Sequence, residues 1–226
     1  MNNPIRLGAG LTILYMDRDI IAVDKPAGLL SISTGGGREK TVYRILGDYL
    51  RGRGGRNAPP AVVHRLDRDT SGVMVFARSG RVKKLLMDNW DRAVAERRYV
   101  CVAEGEMADD SGIINLPLGE DAGGRVVVKR GGKPAITRWE LIKARHGYSL
   151  LSLELETGRR NQIRAHLAAL GHPVAGDRKY WAETDPIRRL CLHAEKIALY
   201  SPTDGRLLDF ESPVPSDFSR ILAERR

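Results

Sequence analysis

Apolar and polar residues follow several distinct rhythms along this chain, and each rhythm predicts an element. Ile13 to Val23 alternates loosely between apolar and charged positions and breaks at Lys25-Pro26-Ala27-Gly28, which predicts a hairpin ending in a turn. Val42, Ile45, Leu46, Tyr49 and Leu50 fall at i, i+3, i+4, i+7 and i+8, one buried stripe of a helix that Thr41 can cap and Gly52 can end. Val73 to Ala77 is a continuous apolar run, the pattern of a strand buried on both faces. Ser79 can cap a second helix with Val82, Leu85, Leu86 and Trp90 turned inward, and Arg98 to Ala103 reads as a further strand. Leu151, Leu153 and Leu155 alternate with Ser152, Glu154 and Glu156, the signature of a half-buried strand. Thr157-Gly158 then turns the chain into a helix with Ile163, Leu167 and Leu170 inward, closed by Gly171 and Pro173. Strands outnumber helices without a regular βαβ alternation. The expected class is α+β, a mixed, mainly antiparallel sheet flanked by helices and loops. No repeat or linker interrupts residues 1–226, so one domain is expected.

Composition narrows the setting. With 226 residues and 42% hydrophobic content, the chain can bury one sizeable core. The net charge of +9 favours polyanionic partners, nucleic acid or an anionic membrane surface. No stretch approaches the roughly 20 apolar residues of a spanning helix, and Met1 to Leu11 is too polar for a signal peptide. Cys101 and Cys191 lie in apolar stretches and read as buried thiols of a reducing compartment, so a cytoplasmic protein is expected. Charge is uneven: Arg125 to Arg145 holds seven basic residues and one acid, whereas Glu104 to Asp121 holds six acids and no base. The acidic run reads as a solvated face. The basic run falls in a Gly-rich, hairpin-like stretch where phosphate contact is plausible. Gly35-Gly36-Gly37 and the Arg- and Gly-rich stretch Arg51 to Pro60 read as loops.

Two stretches can carry chemistry. In His64-Arg65-Leu66-Asp67-Arg68-Asp69-Thr70-Ser71-Gly72, two carboxylates sit among arginines before the buried strand, and the small residues at 70–72 let backbone approach a ligand. On composition alone a salt-bridged turn at a strand start is the simpler account of the same residues. In Glu156 to His166, a strand, a turn and a helix start bring Arg159, Arg160, Asn161, Gln162 and Arg164 together. Three arginines at the positive end of a helix are unfavourable unless an anion is present, which suits phosphate or base-edge contacts. A solvated first turn is the alternative. The five histidines show neither zinc-finger spacing nor His-Glu-x-x-His, and there is no phosphate-binding Gly-Lys-Ser/Thr loop, dinucleotide fingerprint or Gly-x-Ser-x-Gly elbow. His166 and His172 read as structural histidines.

Taken together, these stretches resemble the pseudouridine synthases, in particular the large-subunit-type branch that acts on ribosomal and transfer RNA. His64 to Gly72 matches its His-Arg-Leu-Asp-x-x-Thr-Ser-Gly signature. Val23 to Leu29 is similar to its opening Lys-Pro-x-Gly element, and Arg97 to Val102 to its basic-x-Tyr strand. Asn115 to Leu118, Lys133 to Thr137, Thr157 to His166, Gly171 to Asp177 and Leu190 to Ala194 match further motifs in family order. Where that branch carries Thr-His or Ser-His after Thr-Gly-Arg, this chain has Arg160-Asn161. The chain has no room for the S4-type RNA-binding domain that many relatives carry, so RNA capture is expected of the catalytic core and its positive surface.

The resemblance implies a pseudouridine synthase catalytic core and an isomerase that flips a uridine out of a structured ribosomal or transfer RNA stem-loop. It makes Asp67 the nucleophile or base at that uridine. It implies Arg164 as the guanidinium that pairs with Asp67 and keeps it ionised. Tyr99 would stack on the uracil and take part in proton transfer at carbon 5, and Leu192 would form an apolar wall. Arg65 would fill the space of the flipped base, and His64 would orient rather than react. Thr70, Gln162 and Arg159 are further expected substrate contacts, and Lys25, Lys129 and Arg130 expected phosphate contacts. No redox change occurs, so neither a cofactor nor a metal is expected. A monomer without membrane association is the expected state. Two rivals differ in kind: a glycosidase on the same fold that releases free uracil, and a non-catalytic RNA-binding protein.

Overall fold

The computed structural model describes residues 3–33, 39–52 and 59–223. The chain divides into two compact units, one of residues 1–96 with 194–213, the other of 97–193 with 214–226. The expected loops at Gly35-Gly36-Gly37 and through most of Arg51 to Pro60 lie outside the described residues.

In the first unit the strands run in the order Ile5–Arg6, Thr12–Met16, Ile20–Lys25, Ser71–Ala77 and Leu192–Tyr200, the last of which contributes from residue 194. Ala61–Val62 pairs with Ser71–Ala77, and Leu207–Glu211 pairs with Leu192–Tyr200. The predicted hairpin is present: Ile13 opposes Val23, and a bulge between Ile13 and Tyr15 shifts the register. Ile20–Lys25 crosses Ser71–Ala77 antiparallel from Ile20↔Ala77 to Lys25↔Gly72. All seven residues of Ser71–Ala77 are buried, as its unbroken apolar run requires. Burial of side chains such as Val73, Val75 and Phe76 contributes about 1.5–3 kcal/mol each.

Two helices cover this unit's core. The Thr41 hydroxyl accepts from the Arg44 N–H (3.1 Å) and opens Val42–Gly52, whose Val42, Leu46 and Leu50 are buried. The Ser79 hydroxyl accepts from the Val82 N–H (3.2 Å) and opens Gly80–Asp88. Val82 and Leu86 face inward, but Leu85 is 39% exposed and Trp90 belongs to a separate turn, Trp90–Ala93. Leu85 departs from the predicted stripe because it projects to the side of the face that Val82 and Leu86 share; Trp90 packs against the same core as expected, but from its own turn, because the helix stops at Asp88.

The second unit is an antiparallel sheet in the order Val94–Glu104, Tyr148–Leu155, Ile136–Arg145 and Ser111–Asn115, with the first strand contributing from residue 97. Tyr99 and Trp139 both oppose Leu153. Leu151 and Leu153 are buried while Glu154 is exposed, the alternation read from sequence. A small hairpin joins Leu118–Glu120, in the acidic run, to Val126–Val128, at the start of the predicted basic stretch, most of which continues into the strand Ile136–Arg145. The helix Gln162–Ala169 buries Ile163 and Leu167, but Leu170 is its cap residue and 40% exposed. The helix has ended there: Gly171 takes φ +82°, and its N–H and that of His172 return to the carbonyls of Ala168 (3.1 Å) and Leu167 (3.0 Å). Cys101 and Cys191 are free and buried, and burial raises both thiols, Cys191 to about 12. The architecture is α+β, as the pattern predicted. Among the described residues no helix is long and apolar enough to cross a membrane.

Candidate active site

In the first unit, the segment His64 to Gly72 is held by side chains distant in sequence. The buried Ser31 hydroxyl donates to the Leu66 carbonyl (2.7 Å) and accepts from the Leu66 N–H (3.2 Å). Lys25 is fully buried, and its ammonium donates to the carbonyls of Arg68 (2.8 Å), Leu29 (2.8 Å) and Pro26 (3.0 Å). The Gly28 N–H adds a second bond to the Arg68 carbonyl (2.9 Å). The expected phosphate contact at Lys25 is therefore overturned: its charge is enclosed by backbone dipoles of the turn. Backbone is thus fixed on both sides of Asp67, which is partly buried, while Arg65 is exposed.

The rest of the segment is packed. Thr70 is 2% exposed, so it lines the turn from within. Gly72 takes φ +111°, and a Cβ on it would run into the backbone of Ala194. The close approach expected of the small residues is therefore to a neighbouring strand. His64 accepts at Nε2 from the Val75 N–H (2.9 Å) and its ring tilts against Trp90, 5.6 Å between centroids. With that nitrogen engaged, His64 is built to hold its turn against the strand.

In the second unit, Tyr99 lies on the strand Val94–Glu104, partly buried against a core that includes Val100, Cys101, Leu153 and Leu192. Leu192 is 3% exposed and belongs to that core. Arg97 closes the far edge: its guanidinium donates to the carbonyls of Leu155 (2.9 Å) and Glu156 (3.1 Å) just before the Thr157-Gly158 turn.

Gln162, expected at the substrate, is instead consumed by the scaffold. Its Oε1 accepts from the Thr157 hydroxyl (2.8 Å) and the Arg159 N–H (2.9 Å), and its Nε2 donates to the Ile136 carbonyl (2.9 Å) and the Thr137 hydroxyl (3.0 Å). The network continues to His166, whose Nδ1 lies 2.9 Å from Thr137 Oγ1 and whose Nε2 lies 3.0 Å from the Leu116 carbonyl. A carbonyl only accepts, so Nε2 carries the proton and Nδ1 accepts from Thr137. Burial lowers the His166 pKa, in keeping with this neutral tautomer. His166 is thus structural, as is His172, whose Nδ1 lies 2.8 Å from the Glu104 carbonyl.

Two arginines of the segment differ. Arg159 is exposed and donates to the Pro134 carbonyl (3.0 Å). Arg164 makes a two-pronged bridge to Asp177, Nε–Oδ2 2.6 Å and Nη2–Oδ1 2.8 Å, with the carboxylate side chain 1% and the guanidinium 12% exposed. The guanidinium also lies over the Tyr180 ring, 5.0 Å from its centre. Asp177 and Thr137 are residues whose role sequence reasoning missed. Both stood in recognised motifs, but nothing in a motif says which other motif it touches.

These two assemblies have different chemistry to offer. The first presents one carboxylate from an immobile turn. The second presents a fixed guanidinium, an aromatic ring on a strand and an apolar wall. The sequence profile of the RNA pseudouridylate synthases matches residues 19–169, which include Asp67, Tyr99 and Arg164. The chain belongs to the RNA pseudouridylate synthase family. An uncharacterized RNA pseudouridine synthase of Mycobacterium tuberculosis is 37% identical over 236 residues, covering 98% of this chain and 74% of that one. The ribosomal large subunit pseudouridine synthase D of Nitrosomonas europaea is 34% identical over 224 residues, covering 94% of this chain and 64% of that one. The human RNA pseudouridylate synthase domain containing 4 shares the fold, with a TM-score of 0.74, 22% identity and coverage of 92% and 90%. RNA pseudouridylate synthases are isomerases, and this chain is an RNA-acting enzyme of that class.

Proposed function

We propose that this enzyme modifies uridines in a structured stem-loop of ribosomal or transfer RNA, with Asp67 as the reacting carboxylate. The observation that carries this reading is the clamp on Asp67: Ser31 and Lys25 hold the backbone at Leu66 and Arg68, on either side of an aspartate that is only partly buried. A fixed backbone under a charged group reduces the reorganisation that catalysis would otherwise require.

In the proposed reaction Asp67 attacks the flipped nucleotide or removes a proton from it. The bond from ribose carbon 1 to uracil N1 breaks, the uracil turns, and a bond to carbon 5 forms. The carbon 5 proton leaves to solvent and N1 gains one, so the product is an isomer and no electrons are exchanged. Arg164 serves as the fixed cation of the reaction, Tyr99 stacks on the uracil and assists the carbon 5 proton, and Leu192 keeps water off the ring. Arg65 fills the place of the flipped base and Arg159 contacts phosphate. Gln162, Thr70 and His64 shape these groups without touching substrate. Similarity to a relative named for the large ribosomal subunit supports ribosomal RNA as the first substrate to try. We place the enzyme in the cytoplasm, acting as a monomer, with residues 1–226 serving as one catalytic domain.

The test is release of tritium from RNA labelled at uracil carbon 5. Release by the wild type, with pseudouridine in the product and none from Asp67→Asn, is the expected result. Free uracil in the product would replace this reading with glycosidic cleavage. RNA binding without any release would replace it with a non-catalytic role.

A further inference from the structure

In the second unit, Trp181 occupies a position that protein folding alone does not favour. It follows the turn Arg178–Tyr180 with φ +62° and ψ +26°, a left-handed conformation that favours glycine. It is also 62% exposed, the most exposed large hydrophobic side chain among the described residues. A bulky aromatic that is both strained and left in water has a role outside the core.

Its surroundings say what that role is. The Arg125 guanidinium lies over the indole, 4.3 Å from the ring centre. Arg125 follows the tip of the hairpin Leu118–Glu120 with Val126–Val128, and Arg160 steadies that tip by donating to the Gly124 carbonyl (2.6 Å) and pairing with Glu120 (3.1 Å). From below, the buried Tyr180 donates its hydroxyl to the Val126 carbonyl (2.8 Å) and meets the indole edge-on at 6.4 Å. Tyr180 also lies beneath Arg164. The indole is therefore anchored on the scaffold that holds Arg164. Arg178 and Lys179, both exposed, stand just before Tyr180, and the acids Glu120 and Asp185 are engaged by Arg160 and Arg178.

We propose that Trp181, backed by Arg125, is a stacking platform for an unpaired nucleotide of the RNA substrate, with the neighbouring cations taking its phosphates. The proposal rests on the RNA-modifying reading above. Stacking on an exposed indole accepts any base but requires that the base be unpaired, and it is commonly combined with guanidinium and phosphate contacts.

The test compares the wild type with Trp181→Gly and Trp181→Phe. Glycine suits the left-handed backbone, so Trp181→Gly should melt no lower than wild type, and any loss of binding is then not a loss of fold. Binding is read by fluorescence anisotropy with a fluorescein-labelled oligouridylate and with an RNA duplex of equal length. Trp181→Gly should weaken binding of the single strand by roughly 5- to 140-fold and leave duplex affinity unchanged, and Trp181→Phe should keep most of the affinity. Unchanged single-strand affinity in Trp181→Gly would overturn the proposal, as would an equal loss on the duplex. So would a loss confined to phosphatidylglycerol vesicles, which would make the indole a membrane contact. If the wild type binds no single strand yet still releases tritium from labelled RNA, this proposal alone fails. If it does neither, the RNA-modifying reading fails with it.

Discussion

The segment His64 to Gly72 and the segment Thr157 to His166 are both dense in polar residues, yet they are built in opposite ways. In the first, support comes from outside: Lys25 and Ser31 bond the backbone, and the segment's own Asp67 is only partly buried. In the second, the segment's own side chains do the holding: Thr157 bonds Gln162, and Gln162 and His166 both bond the strand at Ile136–Thr137. There the functional candidate Arg164 is set by a residue well downstream, Asp177. A motif therefore does not announce which of its polar residues are chemistry and which are scaffold. The hydrogen-bond partners decide, because a buried polar group already satisfied by the protein has nothing left for a ligand.

The contrast can be broken in graded steps. Asp67→Asn removes chemistry and leaves the clamp, so tritium release should fall by at least about 10⁴-fold with RNA affinity retained. A variant with near-normal release would strip the first segment of its catalytic role. Asp177→Ala leaves the enclosed Arg164 charge without its bidentate partner and should cost about 3–5 kcal/mol in urea unfolding. An unchanged midpoint would mean that Arg164 is held by other groups. Lys25→Met leaves three carbonyls without their ammonium donor, a loss of about 2–3 kcal/mol. Its mark should be a lower turnover at unchanged RNA affinity, since it loosens the Asp67 turn without touching substrate.

The smallest effect is a matter of pH. Burial lowers the His166 pKa in the folded protein, so the unfolded chain binds its proton first. The stability that this supplies is complete above the ordinary imidazole pKa of about 6.5 and declines as pH falls towards the lower folded value. Unfolding midpoints taken between neutral and mildly acid pH should fall less steeply in His166→Gln than in wild type. Parallel curves would place the neutral imidazole outside the network that sets the second segment.

Much of this was legible in the sequence where the cause is local. Thr41 and Ser79 cap the helices they were expected to cap, because a hydroxyl before an apolar stripe needs only the next turn to find its donor. The run Val73 to Ala77 could be nothing but interior. The misreadings have non-local causes. Leu85 and Leu170 looked like stripe residues, but where a helix stops and which face meets the core are set by partners far along the chain. Lys25 looked like a phosphate contact because a lysine is ordinarily exposed, and only the fold encloses it in carbonyls. Gln162 looked like a substrate contact because its four partners lie on segments more than twenty residues upstream as well as beside it. Trp181 gave no periodic signal, and only its backbone angle and exposure set it apart.

The discontinuous make-up of the two units has a consequence for how the protein comes into being. The first unit needs residues 194–213, which bring Ala194 against Gly72, and the second draws Phe218 and Leu222 into its core from beyond them. A nascent chain that has reached residue 190 therefore carries every motif up to Arg164 and Asp177, yet neither half is closed. Pairings across more than a hundred residues form slowly, since loop closure precedes any reward. Until then the apolar run at Val73 to Ala77 waits without its later neighbour, an aggregation hazard during synthesis. Truncations from the C-terminal side should thus be far more harmful than their distance from Asp67 suggests.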